Sequence, residues 1–108
     1  MTVRDWIASQ QPAAPPALMQ QMLRILGAEA EEREARTTDI CLNAAARALE
    51  AILRENRFAR EDAAELLAID ALTTYAFEHA SGSATSLGAL EDLANHGTHI
   101  FARLAERV

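Results

Sequence analysis

At 108 residues with a net charge of -6 and a pI near 4.9, the chain suits one domain and is a poor partner for a polyanion, because nucleic-acid binding draws its affinity from neutralising phosphates. Alanine and leucine dominate, Val is nearly absent and aromatics are few, so the propensities add up toward helix and against sheet. The single cysteine, Cys41, excludes an internal disulfide, and no segment approaches the ~20 uninterrupted apolar residues of a membrane span. The expected class is an all-α small helical bundle of about four long helices plus a short N-terminal one, forming a single domain over 1–108, soluble and cytoplasmic, with no nucleic-acid or membrane partner.

Thr2 followed by Asp5 is a capping-box variant that starts a short helix over Val3 to Ser9. Val3, Trp6 and Ile7 share one face of it, and the chain's only tryptophan marks that face for docking, with a second subunit as one candidate surface. Three prolines between Pro12 and Pro16 break the helix and complete an N-terminal docking segment over 1–16. Pro16 suits the first position of the second helix, whose stripe of Leu18, Met19, Met22, Leu23, Ile25 and Leu26 runs to Gly27. That glycine either caps the helix or is bridged by a longer one. From Glu29 to Arg36 no large apolar side chain appears. The i, i+4 pairs Glu29 with Arg33 and Glu32 with Arg36 predict a solvated helical extension, an acidic docking strip being the alternative.

Thr37 and Thr38 are placed to cap the third helix, with Asp39 in its first turn. Cys41, Leu42, Ala45, Leu49, Ile52 and Leu53 form its buried side, while Asn43, Arg47, Glu50 and Arg54 line the other. The alanines at 44, 45, 46 and 48 allow a close neighbour. After a short turn at Asn56 to Ala59 that neighbour is the fourth helix, so an antiparallel hairpin should lie at the centre of the fold.

The fourth helix, from about Ala59 to Ala80, is the most apolar stretch. Phe58 is expected as a hydrophobic staple, with Glu61 and Asp62 complementing the helix start and Ser81 and Gly82 ending it. Taken from Leu66, its face holds Ile69, Thr73, Ala76, Phe77 and Ala80, with Asp70 and Leu72 on the margins and Leu67 and Tyr75 outside. Ser83 to Gly88 reads as a loop. A last helix from about Leu87 to Arg107 carries Leu90, Leu93, Gly97, Ile100 and Leu104 at helical spacing.

The chain contains no phosphate loop, Cys/His metal motif or nucleophile elbow, so no catalytic, cofactor or metal residue is assigned. Asp70 near a buried face, with Thr73 and Thr74, is able to act as an acid, base or ligand clamp. The simpler expectation gives Asp70 a structural partner and lets Thr73 bond back to its own helix. Glu78 and His79 with His96 and His99 offer carboxylate and imidazole on neighbouring helices, although exposed histidines fit that spacing better. Arg54, Arg57 and Arg60 surround a helix N-terminus, where an anion would be favoured, although the simpler expectation has them offset the C-terminal dipole of the preceding helix and pair with Glu55 or Glu61.

Leu66 to Phe77, reading LLAIDALTTYAF, resembles the segment of polyprenyl synthases in which an aspartate precedes Ala-Leu and a run toward Ala-Phe. The aspartate-rich metal-diphosphate motifs of that family are missing, so the resemblance implies no catalytic residue.

Two functions fit these patterns. The preferred one is an interaction or assembly module acting as a homodimer through Val3, Trp6, Ile7, Leu67 and Tyr75, because the apolar surface exceeds what a small bundle needs. In the competing reading the protein binds a small molecule or is a minor enzyme, with a pocket between the last two helices bordered by Asp70, Thr74, Tyr75 and Glu78.

Overall fold

The computed structural model describes residues 1–83, and this part of the chain is all-α. A short α1 (Val3–Ala8) precedes α2 (Pro16–Leu26), α3 (Thr37–Glu55) and α4 (Ala63–Ser83). The expected last helix, with Leu90 to Leu104, His96 and His99, lies outside the described residues. So does the expected loop from 84 to 88.

Local chemistry sets most of the boundaries. The Thr2 hydroxyl accepts from the Asp5 amide while the Asp5 carboxylate accepts from the Thr2 amide, both at 3.1 Å, so the capping box is complete. Pro16 opens α2, and Gly27, at φ 58°, closes it in backbone space that side chains rarely enter. Asn56 takes the left-handed conformation after α3, and the Arg57 amide reaches back to the Ile52 carbonyl at 3.0 Å. The chain then reverses. Thr38 at the start of α3 meets His79 near the end of α4, so the two helices form the expected antiparallel hairpin.

The segment from Glu29 to Arg36 is not a helical extension. It consists of two 3-10 turns, Gly27–Glu31 and Glu34–Arg36, separated by extended backbone at Glu32 and Arg33. The competing partner is the N-terminus: the Val3 amide bonds the Glu32 carbonyl at 2.9 Å and the Glu34 amide bonds the Met1 carbonyl at 3.1 Å. An isolated antiparallel bridge joins Thr2 to Arg33. Glu32 does pair with Arg36, at 3.5 Å, but Glu29 reaches Arg47 on α3 instead of Arg33. Neither threonine supplies the expected cap: the Thr37 hydroxyl donates to the Glu34 carbonyl, and Thr38 bonds His79.

One core joins all four helices. α1 contributes Val3 and Ile7, α2 contributes Met22 and Leu26, α3 contributes Ile40, Cys41, Leu42 and Ile52, and α4 contributes Ala68, Ile69, Leu72 and Ala76. Ala44, Ala45 and Ala46 are buried as well, whereas Leu49 and Leu53 are only half-buried. The buried side of α4 overlaps the expected one only in part. Ile69 and Ala76 are buried as expected, as is Leu72 from the margin, but Phe77 is 39% exposed, Thr73 is half-buried, and the core line runs on through Ala68 and His79. Phe58 is 59% exposed, so it staples nothing, and α4 runs through Gly82 to Ser83 instead of ending before it. No helix among the described residues is long and apolar enough to cross a membrane.

Candidate functional site

Two adjoining depressions run along α4, and they share Ala71. The larger, about 470 Å³, lies between α4 and the start of α2, where Leu18, Ala64 and Leu67 form apolar walls and Asp70 stands on the border. Leu67 is 64% exposed there. The smaller, about 240 Å³, is bounded by Thr74, Tyr75 and Glu78 of α4 and by Gln10, Gln11 and Pro12 after α1. All four residues expected to border a pocket therefore line this surface. Among the described residues the opposite wall comes from the Gln10–Gln21 stretch of the N-terminal third, and the last helix, expected as the partner, lies outside them.

The proline-rich break creates the space. Pro12, Pro15 and Pro16 prevent a continuous helix from α1 into α2, so the chain crosses α4 as an irregular connection that leaves a gap beneath it. On the α4 side, Ala64 and Ala71 are too small to fill that gap around the Leu67 side chain.

Within the smaller depression Tyr75 is half-buried, its ring standing edge-on to Trp6 at a centroid distance of 6.2 Å. Burial, and secondarily the Glu78 charge, raise the phenol above its usual pKa, so it keeps its hydroxyl proton at neutral pH. Thr74 donates its hydroxyl to the Asp70 carbonyl at 3.1 Å and Thr73 donates to the Ile69 carbonyl at 3.0 Å, the back-bonding expected of mid-helix threonines. Asp70 itself is exposed and forms no side-chain hydrogen bond or ion pair among the described residues, so the structural partner expected for it is not there. The reason is the rotation of α4, which turns Asp70 toward α2 and the groove.

A second polar cluster sits at the other end of the hairpin. His79 is only 5% exposed. Its Nε2 lies 2.7 Å from Glu34 Oε1 and its Nδ1 lies 2.6 Å from Thr38 Oγ1. A carboxylate only accepts, so Nε2 carries the hydrogen, and in the neutral ring Nδ1 accepts from the Thr38 hydroxyl. Trp6 closes the cluster edge-on at 4.9 Å. Four segments thus meet at one imidazole: α1, the Glu34 turn, α3 and α4. His79 was expected among metal ligands or exposed histidines. It is instead satisfied by a hydroxyl and a carboxylate, and no group of three metal-ligating side chains occurs among the described residues. Sequence spacing gives no signal for this cluster.

Of the arginines around the hairpin turn, Arg57 pairs with Glu55 as the simpler expectation has it. Arg57 is gripped by three carboxylates, Glu55 at 2.7 Å, Glu65 at 2.8 Å and Asp62 at 3.2 Å. The Glu65 hydrogen bond, working against desolvation and aided by Glu55, holds the guanidinium above its usual range. Arg54 reaches Glu50 at 4.0 Å. A guanidinium surrounded by carboxylates has little left to offer a phosphate, and nothing brings Arg60 into the same cluster.

The interface residues separate in the same way. Val3 and Ile7 are fully buried in their own chain, and Trp6 and Tyr75 pack half-buried against it. The N-terminal segment folds back on its own bundle, over Tyr75 and His79, and leaves Leu67 open. Cys41 is buried, and desolvation pushes its thiol up to about 12, so it is an inert core residue at neutral pH.

Compared with known protein families, characterised proteins and solved structures, the chain matches none of them. The likeness of Leu66 to Phe77 to polyprenyl synthases thus remains local, and function has to be read from the surface along α4.

Proposed function

We propose that this protein is a small-molecule-binding module whose ligand lies in the trough between α4 and the Gln10–Gln21 stretch. The observation that carries the reading is the joining of an apolar depression of about 470 Å³ to a polar one of about 240 Å³, the larger lying within the size range of small-ligand sites. Asp70, Thr74, Tyr75 and Glu78 supply the polar groups, and Leu18 and Leu67 supply apolar area. Among the described residues the Thr74 hydroxyl is held by the Asp70 carbonyl of its own helix and no base is hydrogen-bonded to it, which favours binding over catalysis. A thermal-stability screen against small amphiphiles tests the reading: saturable stabilisation that Leu67→Ser abolishes supports it. No stabilisation by any member, at concentrations up to the millimolar range, ends it.

A homodimer is the second reading, favoured by the 64% exposure of Leu67. With Val3 and Ile7 in the core and Trp6 and Tyr75 half-buried, Leu67 is the one residue of the expected interface that stands exposed for a second copy. Sedimentation at micromolar concentration distinguishes the two: a dimer that Leu67→Asp dissociates favours assembly, and a monomer removes it.

A further inference from the structure

The ligand class can be taken further from the charges along the trough, resting on the binding reading just given. We infer that the trough accepts an amphiphilic cation, with a primary ammonium at Glu78 and an alkyl chain passing over Ala71 toward Leu67.

Three observations converge on this chemistry. Among the described residues no arginine lines either depression, and the charged side chains that do are the carboxylates of Asp70 and Glu78. Both are exposed, and neither enters an ion pair among the described residues. By contrast Glu29, Glu31 and Glu65 are each matched by an arginine. An anionic amphiphile would bring a third negative charge to these two, whereas an ammonium offsets them. The net charge of -6 acts in the same direction at longer range.

Polarity is also graded along the helix. At the Glu78 end the walls offer the Tyr75 hydroxyl, the Gln11 side chain and the Glu78 carboxylate, able to accept an ammonium's hydrogens. At the Leu67 end Leu18, Ala64 and Leu67 supply most of the wall, with Gln20, Gln21 and Asp70 beside them. Eleven residues of helix separate Glu78 from Leu67, about 16 Å at the rise of an α-helix, and after about 3 Å for the ammonium–carboxylate contact and about 4 Å for the contact with Leu67 roughly 9 Å remains, the span of an extended alkylammonium of about eight carbons. Ala71 sits between them and presents only a methyl group, so the chain has a continuous apolar path.

The test is calorimetric titration of the intact protein with octylammonium, octan-1-ol and octanoate, each below its micellar range, with far-UV circular dichroism to check the fold of each variant. Octylammonium is expected to bind about fivefold more tightly than octanol, the upper end for a solvent-accessible ion pair, with octanoate weakest. Glu78→Gln should bring octylammonium to the affinity of octanol and leave octanol unchanged. Leu67→Ser should weaken both by the same factor. Equal affinities for the three ligands, or an ammonium preference that survives Glu78→Gln, overturn the cation inference while the binding reading stands. Absence of binding by all three overturns the binding reading as well.

Discussion

α3 and α4 are the two longest helices of the described chain and pack against each other, but their sequences carry very different amounts of information. On α3 the polar residues Arg47 and Arg54 face outward, and Cys41, Ala45 and Ile52, in the opposite direction, are buried. On α4 apolar residues occur on nearly every side, so the sequence does not mark which side faces inward. The actual core line through Ala68, Leu72, Ala76 and His79 is turned about 120° from Leu66, Thr73 and Phe77, and shares only Ala76 with the face read from the sequence. A hydrophobic stripe locates a face only when polar residues define its opposite. Where they do not, packing partners choose the face. Here the choice buries a histidine and leaves a leucine exposed.

The sharpest way to break this comparison is to truncate α4 on both of its candidate faces. Leu72→Ala removes a fully buried side chain and should cost about 2 to 5 kcal/mol in denaturant unfolding. Phe77→Ala, at 39% exposure, should cost distinctly less, about 1 kcal/mol. Equal losses at the two sites, or a larger one at Phe77, would restore the face read from the sequence.

His79 gives the next largest effect. His79→Ala removes the partner of both Thr38 and Glu34 and the edge contact to Trp6, so a cost of about 1 to 3 kcal/mol is expected. Because the imidazole fastens α1 to the hairpin, hydrogen exchange in Val3–Ala8 should accelerate more than in the middle of α3. Uniform acceleration would mean that the cluster supports the whole fold and not that junction.

These two helices also show what is legible in a sequence. Features that depend on neighbours along the chain were readable from Thr2, Asp5, Pro16 and Gly27, because a cap or a break needs only a few residues to act. The His79 cluster was not, since its partners Thr38 and Glu34 lie 41 and 45 positions away. The turns from Gly27 to Arg36 failed for a related reason: their favourable helical charge pairs lose to backbone bonds with Met1 and Val3, which no local pattern records. The candidate site was half legible. Its four polar residues were identified from α4 alone, but the opposite wall depends on where the proline-rich stretch crosses.

Asn56 tests the local side of that contrast. In the left-handed conformation at φ 53°, ψ 44° it closes α3, and Asn56→Ala should lower stability by about 1 kcal/mol, whereas Asn56→Gly should be neutral or slightly stabilising. The same order measured by thermal unfolding would show that the hairpin turn is set by one residue. No difference between the two variants would place control of the turn in Arg57 and its three carboxylates.

The smallest expected effect separates exposure from burial within α4 itself. Leu67 and Leu72 are five residues apart on one helix, and by composition alone they are interchangeable. Their surroundings are not: Leu72 touches the core, while Leu67 stands 64% exposed on the wall of the apolar depression. A charge at position 67 remains solvated, and the side chain it replaces has little burial to lose, so Leu67→Asp should change folding stability by less than about 0.5 kcal/mol. Denaturant unfolding of the variant, at a concentration where sedimentation shows monomer, isolates that term from any assembly. A loss above about 2 kcal/mol under those conditions would mean that Leu67 is buried within the protomer in solution. Near-zero change means that the leucine contributes little to the stability of its own fold, which leaves binding as the physical reason for an apolar side chain on that wall.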